Sequence, residues 1–328
     1  MGSPPTSRAP RSHVLHAVLS ALPYFLLSTL AHADLNIVLK NTFIEKFKDR
    51  AAITAHFSVD QATKPHPAKE DADIHIAGRS DDVGLPMVAE IMNAAAEPQA
   101  LQAVRDAKGG DPVEVTGAWR LWCEHGGMED QVQGADVPKA TDTNPAHVFE
   151  IHPVTEFDHH SVLKSLHFIQ GYQPKEAHAA FVKYEGIRSE ITPGADTTTI
   201  RTTMAGYNYV DFVMEVLGEQ KEVEGGRFVF AKIFDTDCEL LLHKRRMVFL
   251  KDTPPEKNVR TLTEGKQLRV LGIPRIDLAL VSWRSRCAKN QVDNVPNCKD
   301  KFPDVLEWSL PYEMVIVGVS GPVSCPEP

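Results

Sequence analysis

Imidazole and carboxylate side chains recur together in one part of the chain, on stretches that have the pattern of β-strands. Asp73 and His75 are two residues apart, Glu90 lies in the next apolar run, and Glu150 and His152 are again two residues apart. Residues i and i+2 of a strand share a face, so Glu150 and His152 are expected to point the same way. Imidazole with carboxylate is the ligand combination of Zn, Mn or Fe sites, and equally of general acid/base sites.

This pattern predicts one ligand-binding surface that could hold a divalent metal as cofactor. The predicted ligand-binding residues are Asp73, His75, Glu90, His125, Glu150 and His152, and the candidate metal ligands among them are His75, Glu150 and His152. No helical His-Glu-x-x-His motif or other fixed ligand spacing accompanies them. A polar, solvated strand face, with histidines hydrogen-bonded to neighbouring carboxylates, is therefore the structural alternative.

The elements that must position these side chains form the pattern of a small barrel. Alternating or apolar runs predict strands at residues 51–59, 73–77, 87–91, 113–123 and 147–157. Between the third and fourth strands, residues 94–107 are rich in Ala, Leu, Gln and Glu and stop at Gly109, which predicts a helix. This β-β-β-α-β-β order is that of an OB-fold.

The second half of the chain repeats this order of strands, with little or no helix. Its predicted strands cover residues 207–217, 227–234, 244–250, 266–283 and 310–319. We therefore expect a mostly β fold of two tandem OB-like barrels, with the helix between strands 3 and 4 in the first. The expected domains are 34–158 and 206–328, joined by a linker with a short helix over 159–205. Coincidence of short β patterns is the alternative.

The repeat allows the two barrels to be compared position by position. Aligned by pattern, His75 corresponds to Val229, Glu90 to Leu250, and His152 to Val315. Apolar residues at these positions of the second copy indicate that a barrel of this kind folds without the polar groups. The comparison favours a functional role for them in the first copy.

These residues carry a resemblance to a family. The Asp73-Ile-His strand, the Val-Thr-Gly strand at residues 115–117 and the Glu-Ile-His-Pro-Val ending at 150–154 resemble a group of uncharacterised bacterial proteins with a small OB-like domain. The likeness covers residues 50–158 and departs after His125, where residues 127–146 form an inserted polar loop. It implies an OB-like fold and points to the same residues, but it implies no reaction.

The N-terminus has the layout of a secretory signal peptide. Arg8 and Arg11 precede an almost uncharged run at residues 14–30, and Ala-His-Ala at 31–33 predicts cleavage after Ala33. An uncleaved membrane anchor is the alternative, and no later stretch is apolar enough to span a bilayer. Residues 1–33 are therefore interpreted as a signal peptide of an exported protein, periplasmic or secreted.

The cysteines agree with export. Cys287 and Cys298 bracket a polar loop that a disulfide would close in an oxidising compartment, and Cys238 with Cys325 is the candidate second bridge. Cys123, in an apolar strand, is expected to be a buried thiol.

Charge and missing motifs limit the function. The formal net charge of −9 argues against nucleic acid as a partner. Serine-hydrolase, phosphate-loop and dinucleotide motifs are absent from the sequence. Three functions stay open: an exported binding protein for a small polar ligand or metal ion, a metal-assisted hydrolase of phosphodiester bonds, and a structural module of the cell envelope. The expected partner is a small polar ligand or an envelope protein.

Overall fold

The computed structural model describes residues 1–2, 35–204, 206–305 and 307–326, and all structural statements below concern these residues. The strands are β1 (Leu35–Lys40), β2 (Ala52–Ala62), β3 (Ile74–Arg79), β4 (Met87–Ile91), β5 (Val113–Leu121), β6 (Gln131–Val132), β7 (Phe149–Phe157), β8 (His160–Ser161), β9 (Lys175–Glu176), β10 (Arg188–Pro193), β11 (Thr197–Thr202), β12 (Val210–Val223), β13 (Gly226–Phe234), β14 (Leu240–Leu250), β15 (Gln267–Ile276), β16 (Glu307–Ser309) and β17 (Tyr312–Val323). The α-helices are α1 (Asn41–Phe47), α2 (Pro98–Ala107), α3 (Ala177–Gly186), α4 (Pro254–Val259), α5 (Leu278–Ala288) and α6 (Cys298–Lys301). Short 3-10 turns occur at Ala94–Ala96, Leu163–Ser165 and Pro303–Val305.

The first barrel consists of β2, β3, β4, β5 and β7. Neighbouring strands follow the order β4–β3–β2–β5–β7, and a parallel β4–β7 pairing closes the ring. In β2, Ile53, Ala55 and Phe57 are buried inside while Thr54 and His56 are exposed, as the period of two requires. Helix α2 begins at its proline and lies between β4 and β5, which confirms the predicted helix between strands 3 and 4.

The second barrel repeats this ring with β12, β13, β14, β15 and β17. It closes through the β12–β13 and parallel β14–β17 pairings. The fold is therefore mostly β, with two small OB-like barrels in tandem, and this prediction is confirmed.

One predicted boundary is wrong because a capping side chain overrides the apolar pattern. The strand expected over 266–283 ends at Ile276, since the Asp277 side chain accepts hydrogen bonds from two backbone amides and starts α5. The short helix of the connecting segment is α3, which begins at Ala177 because the Glu176 side chain caps its first turn.

A third sheet joins distant parts of the chain in the order β16–β10–β11–β1–β6. β1 pairs with β11, so Leu35 lies opposite Thr202. The segment expected to be a linker, residues 159–205, thus contributes two strands of this sheet besides α3. The inserted loop at 127–146 contributes β6. Alternate residues of β11, including Ile200, are buried, which explains why this threonine-rich stretch is a strand.

Each barrel contains one fully buried arginine that is paired with a glutamate on the neighbouring strand. Arg120 of β5 lies in register with Glu150 of β7, and its guanidinium contacts that carboxylate. Arg275 of β15 lies in register with Glu313 of β17, with Nε 2.7 Å from Oε1. The repeat therefore extends to a buried ion pair between the corresponding strands of each barrel.

The same arginines join the barrels reciprocally. Arg120 Nε donates to the Pro274 carbonyl at 2.9 Å, and Arg275 Nη1 donates to the Trp119 carbonyl at 2.9 Å. Because each arginine bonds the residue that precedes the other, the contact has an approximate two-fold character. The Arg275 guanidinium also lies 3.5 Å from the centre of the Trp119 ring, a cation–π contact. We call this arrangement the arginine clasp.

Both predicted disulfides are present, Cys238–Cys325 and Cys287–Cys298, and Cys123 is buried. The disulfides indicate an oxidising, exported environment. Residues 3–33 of the predicted signal peptide lie outside the described residues. Among the helices that are described, none is long and apolar enough to cross a membrane.

Removing the two disulfides separately is expected to have unequal effects. They link residues separated by 87 and 11 positions. In the chain-entropy account, the larger loop contributes about 4–5 kcal/mol and the smaller about 3 kcal/mol. Urea unfolding of Cys238→Ala/Cys325→Ala should therefore show a larger loss than Cys287→Ala/Cys298→Ala. Equal losses would contradict this ordering.

Candidate metal centre

Three neighbouring strands bring three of the predicted side chains into one row. β3 and β4 pair in register at His75 and Glu90. The parallel β4–β7 register aligns Ala89 with Ile151, so Glu90 is level with His152. Since Ala89 and Ile151 belong to the barrel core, the alternate residues face the outer wall of the barrel.

This outer wall is buried. The exposed fraction is 0% for Asp73 and His152, 3% for Glu90 and 2% for Glu150. Its surroundings include an apolar cluster to which Leu166 of the connecting segment and Tyr209, next to β12, contribute. The face is therefore not solvated, and its charged groups must be compensated within the protein or by a bound ion.

His152 faces two carboxylates with a single ring nitrogen. Its Nδ1 lies 2.9 Å from Glu90 Oε2 and 3.2 Å from Glu150 Oε2. One N–H cannot be directed at both oxygens, and in the described structure Glu90 Oε2 is left without a hydrogen bond. On the opposite side of the ring, Nε2 lies 2.8 Å from the Tyr209 hydroxyl.

The loop before β3 repeats this arrangement. His66 Nδ1 lies 3.0 Å from Asp71 Oδ1 and 3.0 Å from Asp73 Oδ1. The hydrogen-bond direction favours Asp71, and neither oxygen of Asp73 has a hydrogen bond from any described residue. His75 Nε2 lies 3.6 Å from Asp73 Oδ1 and 3.7 Å from Glu90 Oε1.

These contacts define two donor groups that share Asp73. In each, one ligand atom per residue lies within 4.8 Å of all the others. The inner group is Asp73, Glu90 and His152, and the outer group is His66, Asp71, Asp73 and His75. Ligand atoms about 2.1 Å from one ion are themselves about 3.0–3.4 Å apart. The contacts of His152 with Glu90 and of His66 with Asp71 and Asp73, at 2.9–3.0 Å, are close to this range, whereas those of His75 are longer, at 3.6–3.7 Å. A cation satisfies several lone pairs at once, which a single proton cannot.

The electrostatics show how strongly the buried groups interact. Burial and the neighbouring Glu90 raise the pKa of Asp73 well above its usual range. Burial opposes ionisation of Glu90, yet His152 lowers the pKa of Glu90 to about 2. Burial also opposes protonation of His152, but Glu90 and Glu150 raise its pKa to about 10. Contact with Asp73 raises the pKa of His66 to about 9.

We expect the metal-free protein to lose stability as the pH rises from neutral to 10. The pKa values of His66 and His152 are raised from 6.5 to about 9 and about 10. Protonation of both therefore stabilises the fold fully below pH 6.5, and this contribution disappears as the pH passes through 9 and 10. Thermal unfolding between pH 7 and 10 measures it; a level profile, or the same profile in His66→Gln, would contradict the assignment.

Glu150 forms an ion pair with a positively charged side chain of the protein. It contacts Arg120 and lies 3.3 Å from His147 Nε2. Burial by itself would raise the pKa of Glu150, but the neighbouring Arg120 lowers it well below its usual range. The His125 ring stacks on His147, with ring centres 5.2 Å apart, and belongs to neither donor group. The structure thus brings Asp73, His75, Glu90 and His152 together, places Glu150 at the edge, and leaves His125 outside.

Sequence reasoning missed His66, Asp71 and Tyr209. His66 and Asp71 precede Asp73 and His75 in a His-x4-Asp-x-Asp-x-His spacing, a signal that is present in the sequence. Tyr209 belongs to the other half of the chain, and no local pattern connects it with His152.

The second barrel has hydrocarbon at the equivalent positions. Phe228 pairs in register with Val248, and Val248 with Val315, as His75, Glu90 and His152 do in the first barrel. All three are buried in one apolar cluster. The alignment by sequence pattern placed Val229 opposite His75 and Leu250 opposite Glu90. It was therefore displaced on β13 and β14 relative to the observed register. The apolar character of these positions is unchanged.

Comparisons with known proteins identify no family. No family model matches the chain, and no curated protein matches it. One solved structure that matches is the Ifi202 HINa domain in complex with 20-bp double-stranded DNA, at 11% identity and a TM-score of 0.16, over 69% of this chain and 87% of that one. Another, described as "Structural mimicry for functional antagonism", matches at 12% identity and a TM-score of 0.17, over 71% and 90%.

The DNA-bound neighbour corrects one expectation. Sequence analysis argued against nucleic acid as a partner on the basis of net charge, and the match to a DNA-bound domain contradicts that expectation. A formal charge averages over the whole chain, whereas phosphate contacts depend on local clusters of Lys and Arg. Neither neighbour supports a small polar ligand or an envelope protein as partner. At these TM-scores the likenesses assign no ligand to this chain.

Proposed function

We propose that the chain is an exported metal-binding protein whose first barrel holds a divalent transition-metal ion on Asp73, Glu90 and His152. The observation that supports this most is the complete burial of Asp73, whose two oxygens have no hydrogen bond within the described structure. An ionised carboxylate without a hydrogen bond in such a place costs several kcal/mol, roughly the penalty of one incompletely compensated buried charge. A bound cation removes that cost.

Distances favour an ion over a larger ligand. His152 Nδ1 already lies 2.9 Å from Glu90 Oε2, and His75 Nε2 lies 3.6 Å from Asp73 Oδ1. Groups this close leave space for a single ion between them but not for a molecule of several atoms. Imidazole with carboxylate suits Zn, Mn or Fe(II) better than Ca or Mg, which prefer oxygen ligands alone.

The surroundings of His152 are those of a metal ligand. A ligating histidine usually donates its second ring N–H to an oxygen, which fixes the ring orientation. The Tyr209 hydroxyl, 2.8 Å from His152 Nε2, supplies such an oxygen from the second half of the chain. Tyr209 is therefore a positioning residue for the proposed site.

Tyr209→Phe is expected to weaken metal binding by about 10- to 100-fold. The substitution removes the oxygen that orients His152 and leaves the aromatic ring in the apolar cluster. Calorimetric titration with Zn²⁺ measures the effect, with Tyr172→Phe as control, since the Tyr172 ring packs against Tyr209 with centres 5.6 Å apart. Equal losses in both variants would assign the effect to ring packing.

The proposal is tested by the metal content of protein purified without a histidine tag, stripped with a chelator and dialysed against Zn²⁺ or Mn²⁺. We expect bound metal that is lost in His152→Gln and retained in His178→Gln, a control at an exposed histidine of α3. Circular dichroism verifies that both variants are folded. Metal-free wild-type protein after dialysis would overturn the proposal.

The signal peptide and the resemblance to bacterial exported proteins remain part of this proposal. Cleavage after Ala33 would place the mature chain in the periplasm or outside the cell, which agrees with the disulfides. N-terminal sequencing of protein recovered from an expression host tests the cleavage site.

A further inference from the structure

We propose that the outer group binds a second metal ion, so that the first barrel carries a dinuclear centre with Asp73 as the bridging carboxylate. This inference rests on the proposed function, because Asp73 serves both groups. Both oxygens of this buried carboxylate are without hydrogen bonds in the part of the chain that the structure describes. One oxygen is therefore available to each ion.

The donors of the outer group are already assembled. His66 Nδ1 lies 3.0 Å from both Asp71 Oδ1 and Asp73 Oδ1, and the ring centres of His66 and His75 are 4.7 Å apart. Backbone bonds hold the loop in this form, since the His66 amide donates to the Asp73 carbonyl at 2.7 Å. The site needs no rearrangement of the main chain to bring these ligands together.

The second barrel supplies an independent comparison. Its equivalent strands, β12 and β13, are joined by a turn of Glu224 and Gly225, whereas β2 and β3 are separated by residues 63–73. The longer connection contains His66, Asp71 and Asp73. The barrel with hydrocarbon on its outer wall thus also lacks the loop that supplies the outer ligands, so both features occur together.

Exposure distinguishes the two positions. The inner ligands Glu90 and His152 have side chains that are 4% and 0% exposed, whereas His66 and Asp71 are 26% and 24% exposed. The outer ion would therefore contact solvent and exchange faster than the inner ion. Two ions that share one carboxylate lie about 3.5–4 Å apart in known two-metal sites.

Equilibrium dialysis of the full chain against Zn²⁺ tests the inference. We expect two equivalents of Zn²⁺ in the wild type, one in His66→Gln and in Asp71→Asn, and two in the His178→Gln control. With Mn²⁺, the wild type should give the electron paramagnetic resonance spectrum of an exchange-coupled pair, and His66→Gln that of an isolated ion.

The possible failures are distinguishable. One equivalent in the wild type, unchanged in His66→Gln, would overturn the second position and leave the proposed function intact. Two equivalents that survive in both outer-group variants would also overturn it. No bound metal in the wild type would remove the proposed function together with this inference. Circular dichroism of each variant shows that a lost equivalent is not due to unfolding.

Discussion

Asp73→Asn is expected to abolish metal binding, with affinity lowered by more than about 100-fold, the upper limit for partners that only orient a ligand. The reason is that Asp73 belongs to both donor groups, and the substitution replaces its carboxylate with a neutral amide. Zn²⁺ titration measures the effect.

Asp60→Asn is the matched control for this experiment. Asp60 is also a buried aspartate of the first barrel, but both its oxygens accept from Arg79, at 2.9 and 3.0 Å. Its substitution should therefore lower stability and leave metal binding unchanged. Loss of metal binding in Asp60→Asn as well would show that the effect of Asp73→Asn is not specific to a ligand of the proposed site.

Arg275→Met is expected to destabilise the chain by about 3–5 kcal/mol, the range for breaking a buried ion pair on one side. The substitution removes the Arg275 guanidinium from beside Glu313, a carboxylate that is 0% exposed. It also removes the hydrogen bonds to the Trp119 and Ala51 carbonyls. Although burial lowers the pKa of Arg275 to about 10, the group is charged at neutral pH. Urea unfolding measures the loss.

Arg269→Met provides the control on the same strand. Arg269 forms a bidentate pair with Asp211 at the surface, with distances of 2.9 and 2.6 Å. Exposed pairs of this kind contribute less than about 1 kcal/mol. Equal losses for Arg275→Met and Arg269→Met would show that the arginine clasp is not important for stability.

The barrels could be predicted from the sequence because their strands follow simple patterns. Alternation in β2, the apolar run of β4 and the proline at the start of α2 are local signals, and the repeat supported each of them. The row of His75, Glu90 and His152 could also be anticipated, since strand phase alone places each side chain on the outer wall.

What could not be predicted depends on contacts between distant residues. Burial of the outer wall results from Leu166 and Tyr209, which lie outside the first barrel. The helix at α5 depends on the cap at Asp277, and an apolar run such as residues 278–281 is compatible with strand or helix. The arginine clasp was present as Gly-x-x-Arg in both copies, at Gly117 and Gly272, but nothing in the pattern indicated reciprocal bonds.

The pairing of β1 with β11 has a consequence for the order of folding. Leu35 lies opposite Thr202, so the first strand finds its partner only after more than half of the chain has become available. Contacts of such long sequence separation form late and slowly. A polypeptide that emerges with its N-terminus first therefore cannot complete this sheet until β11 has followed.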